Sequence, residues 1–357
     1  MNSAESKRST IEELKRSGGS AQELRTLHAQ IETLLVKLTR EQKPYLQLSV
    51  RDEAASFSLR VWDDHPAYGF VSELRTGDFI AINAEFVASP SYGLEARNWS
   101  VRLLTGEERA DLLAGSLELQ EKQSADFDFI VNSLHSIADP RLRRLSLSFV
   151  EEFGERFRRT AGARNYHHAR RGGLVEHVAQ MMRSATALAG VYPYLHRDLL
   201  ITGILFHDAG KLWENSFSKD SFVMQHELAG ELVGHISISV EILNRLWQKL
   251  RVLPEYSSTT DSEAVRLHLI HLIVSHHGEK QFGSPIEPKT PEAMALHIID
   301  NLDAKLEMMK SAYETGNRLT PQIVERIRPL TTNLVQPLFC FAAEVLPSDN
   351  KEERPNC

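Results

Sequence analysis

The histidines and aspartates of this chain fall in an order that can do metal chemistry. At the centre is Leu205-Phe206-His207-Asp208-Ala209-Gly210-Lys211, a His-Asp doublet ending an apolar run, with a lysine one helical turn later. Upstream lies His177, in Gly172-Gly173-Leu174-Val175-Glu176-His177. Downstream come Gly234-His235, the pair His276-His277, and Ile299-Asp300-Asn301-Leu302-Asp303. Imidazole nitrogens mixed with carboxylate oxygens suit Mn, Fe, Co, Ni or Zn, and without thiolates the set is not a structural zinc site. Successive helical residues stand about 100° apart, so His207 and Asp208 can lean into one cavity. Lys211 follows on the same face, where it can hold a substrate phosphate. Asp300 and Asp303 share one face of an otherwise apolar helix (Met294, Leu296, Ile298, Ile299, Leu302), and a metal is the partner that would keep carboxylates there. The ordered set is far more specific than any member. A lone histidine near an apolar run, such as His268 or His271, reads as a hydrogen-bonded core residue.

The elements that must position these groups follow from composition and pattern. The chain has 357 residues, 42% hydrophobic and 25% charged, enough for two domains and a sizeable core. No apolar run reaches the roughly 20 residues that span a bilayer, and the polar N-terminus is no secretory signal. The two cysteines, Cys340 and Cys357, make no disulfide framework, so the expected compartment is the reducing cytoplasm. A net charge of −7 leaves nucleic-acid binding to local basic patches.

Residues 1–43 read as an N-terminal helical extension. Leu24, Leu27, Ile31, Leu34, Leu35 and Leu38 recur at helical intervals, and such a helix leaves room for a homo-oligomer. Over 44–104 the period changes to two. Strands are expected at Tyr45–Val50, Phe57–Trp62, Phe79–Val87 and Leu94–Leu104, which suggests a small closed OB-like barrel. Phe57, Leu59 and Val61 face its core. Arg60 and Trp62 share the other face and could offer a cation and a stacking surface to a base. Against this stand five arginines and eight acids in the segment, a poor balance for phosphate binding. Residues 105–125 read as an acidic linker, 126–346 as an all-helical domain, and 347–357 as a disordered tail. The fold class is thus multidomain α+β, an all-β barrel followed by an all-α domain.

The order of motifs resembles the HD superfamily of metal-dependent phosphohydrolases. More closely, residues 44 to about 310 resemble the YhaM-type 3′→5′ exoribonucleases, which join an OB-fold to an HD domain. The resemblance is carried by Asn165-Tyr166-His167-His168, the Gly172–His177 run, His207-Asp208-Ala209-Gly210-Lys211, Gly234-His235-Ile236-Ser237, and the stretch from Ser275-His276-His277-Gly278 to Asp303-Ala304-Lys305. It implies one divalent ion held by His177, His207, Asp208 and Asp300. It implies a second, bridged by Asp208 and held by His235 with His276, His277 or both, with manganese the first choice of metal. Related cyclic-dinucleotide phosphodiesterases carry Gly-Tyr-Pro where this chain has Gly283-Ser284-Pro285, which argues against that substrate. The implied catalytic set is Asp208, Lys211 and Asp303, the last orienting a ligand or water.

Arg156, Arg158, Arg159, Arg164, Arg170 and Arg171 form the densest basic stretch, with His167 and His168 inside it. Leading straight into His177, the stretch is expected to draw in a polyanionic strand through Arg164, His167, His168, Arg170 and Arg171. The function expected is trimming of single-stranded RNA, or DNA, from the 3′ end to nucleoside 5′-monophosphates, with no membrane partner. Two rivals are an HD phosphohydrolase of a small or cyclic nucleotide and a non-catalytic single-strand-binding module.

Overall fold

The computed structural model describes residues 7–16, 24–53, 55–89, 93–164, 168–224, 227–256 and 259–338. The chain divides into two units, Met1–Ala304 and Lys305–Cys357.

The first unit opens with a sheet. β1 (Lys7–Ser9) precedes the short helix α1 (Ile11–Arg16). β2 (Leu24–Leu38), β3 (Pro44–Arg51), β4 (Ser56–Trp62), the short helix α2 (Tyr68–Glu73), β5 (Phe79–Ser89) and β6 (Gly93–Leu103) follow. The order β4-β3-β2-β5-β6 is antiparallel throughout, with β1 parallel to β2. Period-two alternation builds it. Phe57, Leu59 and Val61 are buried, while Ser56, Ser58, Arg60 and Trp62 are exposed. β4 and β5 are two strands apart in the sheet, yet the Phe57 and Phe86 rings are 6.0 Å apart. The sheet therefore curls around its core, as the OB-like expectation requires, and encloses Leu27, Ile31, Leu48, Val61, Ile80 and Ile82.

The stretch Ala21–Arg40 is a correction. From Leu24 it is the central strand β2, not an amphipathic helix, and the partner-helix argument for an oligomer falls with it. Thr26 to Ile31 are all buried. One face looks into the barrel; the other is covered by the helical part of the unit, where Gln30 Oε1 accepts from Ser221 Oγ (2.8 Å) and Phe222 N (2.6 Å). A strand buried on both faces shows no alternation, so its leucines could fall at helical spacing by accident.

The region 105–125 is also more ordered than a linker. Thr105 and Glu108 form a capping box that starts α3 (Gly106–Ala114), and α4 (Leu117–His135) follows. Then come α5 (Pro140–Phe157), α6 (Gly173–Val191), α7 (Arg197–His207), α8 (Leu228–Leu250), α9 (Thr259–Ser275) and α10 (Pro291–Thr315). Their apolar faces share one core, in which Phe149 meets Phe153, Phe157 and Phe206.

The last helix ends at Thr315, short of the expected 346, and residues 339–346 lie outside the described residues. Within the second unit, β7 (Arg318–Thr320), β8 (Ile323–Val324) and β9 (Leu334–Val335) make a small antiparallel sheet over Ala312, Val324 and Leu334. Pro321, Pro329 and the β-branched Ile323-Val324 pair are the signals that favour strand and turn there. The expected tail, 347–357, lies outside the described residues. Among the described residues, no helix is long and apolar enough to cross a membrane.

Candidate metal centre

Five helices, α6 to α10, and one short turn bring the motif residues together. His177 sits in the second turn of α6, His207 is the last residue of α7, and His276-His277 directly follow α9. α7 stops at Asp208, and the chain tightens into a 3₁₀ turn over Ala209–Leu212. Gly210 is required in that turn, because a Cβ there would lie 2.0 Å from the His235 carbonyl oxygen. Its N–H donates to Ser239 Oγ (2.7 Å), whose hydroxyl donates to His207 O (3.1 Å). The glycine before His235 has its own reason. Gly234 has φ +73° inside α8, a left-handed value that breaks the helix immediately before the histidine.

Asp208 is the common member. Its Oδ2 lies 3.2 Å from His207 Nε2, 3.8 Å from His177 Nε2 and 2.7 Å from Lys211 Nζ. Its Oδ1 lies 3.6 Å from His235 Nε2 and 3.8 Å from His276 Nε2. Asp300 Oδ1 closes the first group, 3.3 Å from His177 Nε2 and 3.9 Å from His207 Nε2. The His276 and His277 rings are 4.2 Å apart and the His235 and His277 rings 5.3 Å. Metal-compatible donor atoms cluster as His177, His207 and Asp208, and separately as His235, His276 and His277.

The other ring nitrogen of each histidine is engaged. Nδ1 donates to Ile204 O from His207 (2.7 Å), to Ile273 O from His276 (2.6 Å) and to Phe282 O from His277 (2.9 Å). His235 Nδ1 stands 3.1 Å from Glu214 Oε2, and His177 Nδ1 2.7 Å from Asp303 Oδ2. Such partners set the tautomer that leaves Nε2 as a lone-pair donor, the arrangement metal-ligating histidines use. The buried atoms His207 Nε2, His235 Nε2, His276 Nε2 and Asp208 Oδ1 have no hydrogen-bond partner. Four such atoms converging in one place would cost several kcal/mol unless something other than protein binds them. Donors 3.2–3.9 Å apart stand at or a few tenths of an ångström beyond the roughly 3.0–3.5 Å that bonds of roughly 2.0–2.2 Å set between adjacent donors, close enough for small side-chain shifts to share an ion. The residues therefore fit a divalent cation.

The electrostatics agree. Burial raises the Asp208 carboxyl, but the His207 and Lys211 charges outweigh it and hold it well below the ordinary range. For Asp300, burial is outweighed by contact with His177 and the His207 charge. Burial opposes an imidazolium at His177, yet contacts with Asp300 and Asp303 outweigh it and push its pKa up to about 10. His276 and His277 go the other way. Burial lowers both, with the His207 charge adding at His276 and the His235 charge at His277. Without an ion, these directions favour a proton on His177 and neutral rings at His276 and His277.

Several expected contacts lie elsewhere. Lys211 does not stand open to a phosphate: its Nζ is held by Asp208 and by the Gly162 carbonyl (2.5 Å). Asp303 Oδ2 lies 2.7 Å from His177 Nδ1, behind a ring of the Asp208 cluster. His168 is a correction. It is buried, with Nε2 2.9 Å from Asp303 Oδ2, so it backs the centre instead of meeting a strand. Both rings are hydrogen-bonded to Asp303, which links His168 and His177 behind the centre.

The arginine stretch is corrected too. Arg170 donates to the buried Glu176 through Nε (2.9 Å) and a terminal nitrogen (2.5 Å). Arg171 donates to the carbonyls of Ser218, Lys219 and Ser221. Arg164 reaches the Glu214 carbonyl (2.6 Å) and Arg159 the Phe217 carbonyl (2.9 Å). Arg156 pairs with Glu227. These cations are engaged with loops and with Glu176 around the centre. His167 lies outside the described residues. Arg60 and Trp62 are on the outer face of β4, and Trp62 meets Tyr45 at 5.1 Å between rings.

Sequence reasoning missed Glu214, three residues after Lys211, and Glu176, which is inside a motif it used. Neither spacing distinguishes a buried acid from a solvated one. Tyr45 was legible, since antiparallel pairing of the first two barrel strands puts it opposite Trp62.

Residues 174–305 match the HD domain family. Three curated Bacillus proteins, each named 3′-5′ exoribonuclease YhaM, are similar over most of their length. The one from Bacillus licheniformis is 32% identical over 83% of this chain and 90% of its own. The Bacillus subtilis protein is 32% identical over 76% and 82%, and the Bacillus pumilus protein 31% over 81% and 87%.

Proposed function

The chain belongs to the YhaM family of 3′-5′ exoribonucleases, and from that premise we propose that it trims single-stranded RNA from the 3′ end at the Asp208 centre, releasing nucleoside 5′-monophosphates. The observation that carries the siting is the convergence of the partnerless His207, His235 and His276 Nε2 atoms on Asp208. We assign two divalent ions, manganese first among Mn, Fe, Co, Ni and Zn. His177, His207, Asp208 and Asp300 hold one. His235, His276 and His277 hold the other, with Asp208 shared. Bound there, they would activate water at neutral pH and neutralise charge on the phosphodiester.

The chain's own groups do the rest. Lys211 keeps Asp208 ionised and fixes its carboxylate plane. Asp303 accepts from His177 Nδ1 and from His168, which turns His177 Nε2 towards Asp300. Glu214 does the same service for His235. On the barrel, Trp62 and Tyr45 form an aromatic step on which bases can stack, with Arg60 beside it on β4. The proposed compartment is the cytoplasm.

The test uses a 5′-labelled single-stranded RNA, Mn²⁺ and a sequencing gel. A ladder shortening from the 3′ end and abolished by EDTA is expected. An oligonucleotide left intact in every metal would move the activity to a small nucleotide. In the same gels Trp62→Ala should raise KM by roughly 5- to 100-fold, the range for one lost base stack, with little change in kcat.

Metal uptake should also release protons. His177 holds its extra proton below about pH 10, and that proton must leave for Nε2 to bind an ion. About one proton per chain is therefore expected from His177 at pH 7, with apparent affinity rising with pH until about 10 and then levelling. Calorimetric titration in buffers of different ionisation heat counts the protons. No release would show that the imidazole is already neutral before uptake, whereas metal content left unchanged by His177→Asn would remove His177 from the ligand set.

A further inference from the structure

The turn after His276-His277 is fastened more firmly than a surface connection requires. Glu279 N donates to His277 O (2.9 Å), and Phe282 N donates to Glu279 O (3.0 Å). Ser284 Oγ lies 3.1 Å from Val274 O and 2.8 Å from Ile286 O, which anchors the far end. His297 packs under the near end, its Nδ1 donating to His276 O (2.8 Å). The middle is tied to a ligand ring, since His277 Nδ1 donates to the Phe282 carbonyl (2.9 Å).

Yet the tip faces water. Lys280, Gln281 and Phe282 are exposed, the phenylalanine by 63%. A large aromatic ring left in solvent forgoes the stabilisation that burial would bring, so the fold gains little from it. A ligand could gain more. The accessible side of the centre is the one this turn borders: His277, His235 and Asp300 are partly exposed, whereas His177, His207 and His276 are buried. Leu232 and Val233, just before His235, are more than half exposed as well.

We infer that Phe282 stacks on the 3′-terminal base of the RNA and so sets the last phosphodiester against the His277 side of the centre. The inference rests on the exonuclease reading above. Every base has a π face, so such a contact holds the end of the strand without choosing its sequence. Lys280, on the same turn, adds a cation beside the backbone. The 3′ terminus has no following nucleotide to stack on its last base, and the ring replaces that neighbour.

The experiment uses RNA carrying 2-aminopurine as its last base and a non-hydrolysable phosphonate in its last linkage. Base fluorescence is read as the full-length chain is added, and KM and kcat are measured on ordinary labelled RNA. Wild type and Phe282→Trp should quench the terminal probe, whereas Phe282→Ala should not. Phe282→Ala should raise KM about tenfold with a smaller change in kcat, and the same probe placed mid-strand should respond alike in all three. Equal quenching by Phe282→Ala, with KM unchanged and the ladder intact, would overturn the inference and leave the exonuclease standing. If no variant trims RNA, the exonuclease reading fails, and the quenching still decides whether Phe282 meets the terminal base. A change in molecular mass on Phe282→Ala without a change in quenching would mark a contact between copies and also overturn it.

Discussion

Asp208→Asn is expected to lower kcat by at least about 10³-fold and to cut bound metal to less than half the wild-type content. The size follows from position. Removing a partner that merely orients a ligand costs roughly 10- to 100-fold. Asp208 instead presents one oxygen to His207 and His177 and the other to His235 and His276, so its loss weakens both groups. A thousandfold loss corresponds to about 4 kcal/mol of transition-state stabilisation. The same change leaves the Lys211 charge facing a neutral amide and the Gly162 carbonyl in place of its carboxylate partner. Breaking a buried pair from one side costs roughly 3–5 kcal/mol, so the metal-free variant should also melt lower. Adding Lys211→Met should recover the melting temperature without recovering turnover. That double variant separates chemistry from folding. Turnover by Asp208→Asn within tenfold of wild type would place the reaction elsewhere.

The centre was legible because metal chemistry demands particular residue types. The order of the motifs carried the grouping of His177, His207, His235, His276, His277 and Asp300 around Asp208, a set of donor types that suits coordination. The glycines of the His207–Lys211 and Gly234-His235 motifs gained a physical reason from the fold: a close approach at Gly210 and a left-handed kink at Gly234. From Pro44 onward β3 and β4 were legible because each has one wet face. β2 was not, because contact with the Ser221–Phe222 loop hides its outer face and with it the period of two. The small strands after Arg318 are too short to carry a periodic signal.

The arginine stretch shows a different failure. A run of cations has the same sequence whether it meets phosphates or carbonyls. Only the fold distinguishes them, since Arg171 ends on three backbone carbonyls and Arg170 on Glu176. The acid that decides this, Glu176, belongs to the helix α6 that presents His177, so the stretch supports the metal centre from behind.

Arg170→Ala should therefore act on stability, not on RNA affinity. Glu176 is fully buried, with Oε1 receiving Arg170 (2.9 Å) and Gln123 (3.0 Å) and Oε2 receiving Arg170 and Lys122 (2.5 Å each). Burial alone would raise its pKa, but Arg170 and Lys122 outweigh burial and hold it far below the ordinary carboxylate range. Removing Arg170 leaves the buried charge with Lys122 and Gln123 alone, at a cost of roughly 3–5 kcal/mol. For a unit of about 300 residues that lowers Tm by roughly 5–8 °C. The pH sign follows from the depressed pKa. The pair contributes fully above the unfolded glutamate pKa of 4.5, and its contribution shrinks as pH falls below that towards the folded value. The gap in Tm between wild type and variant should accordingly narrow below pH 4.5. Arg170→Met combined with Glu176→Leu should recover much of the loss, because an apolar pair of similar volume needs no compensation. The salt dependence of RNA binding should stay parallel to wild type, whereas one lost phosphate contact would reduce its slope by about one. A flattened slope with an unchanged Tm would return Arg170 to the path of the substrate.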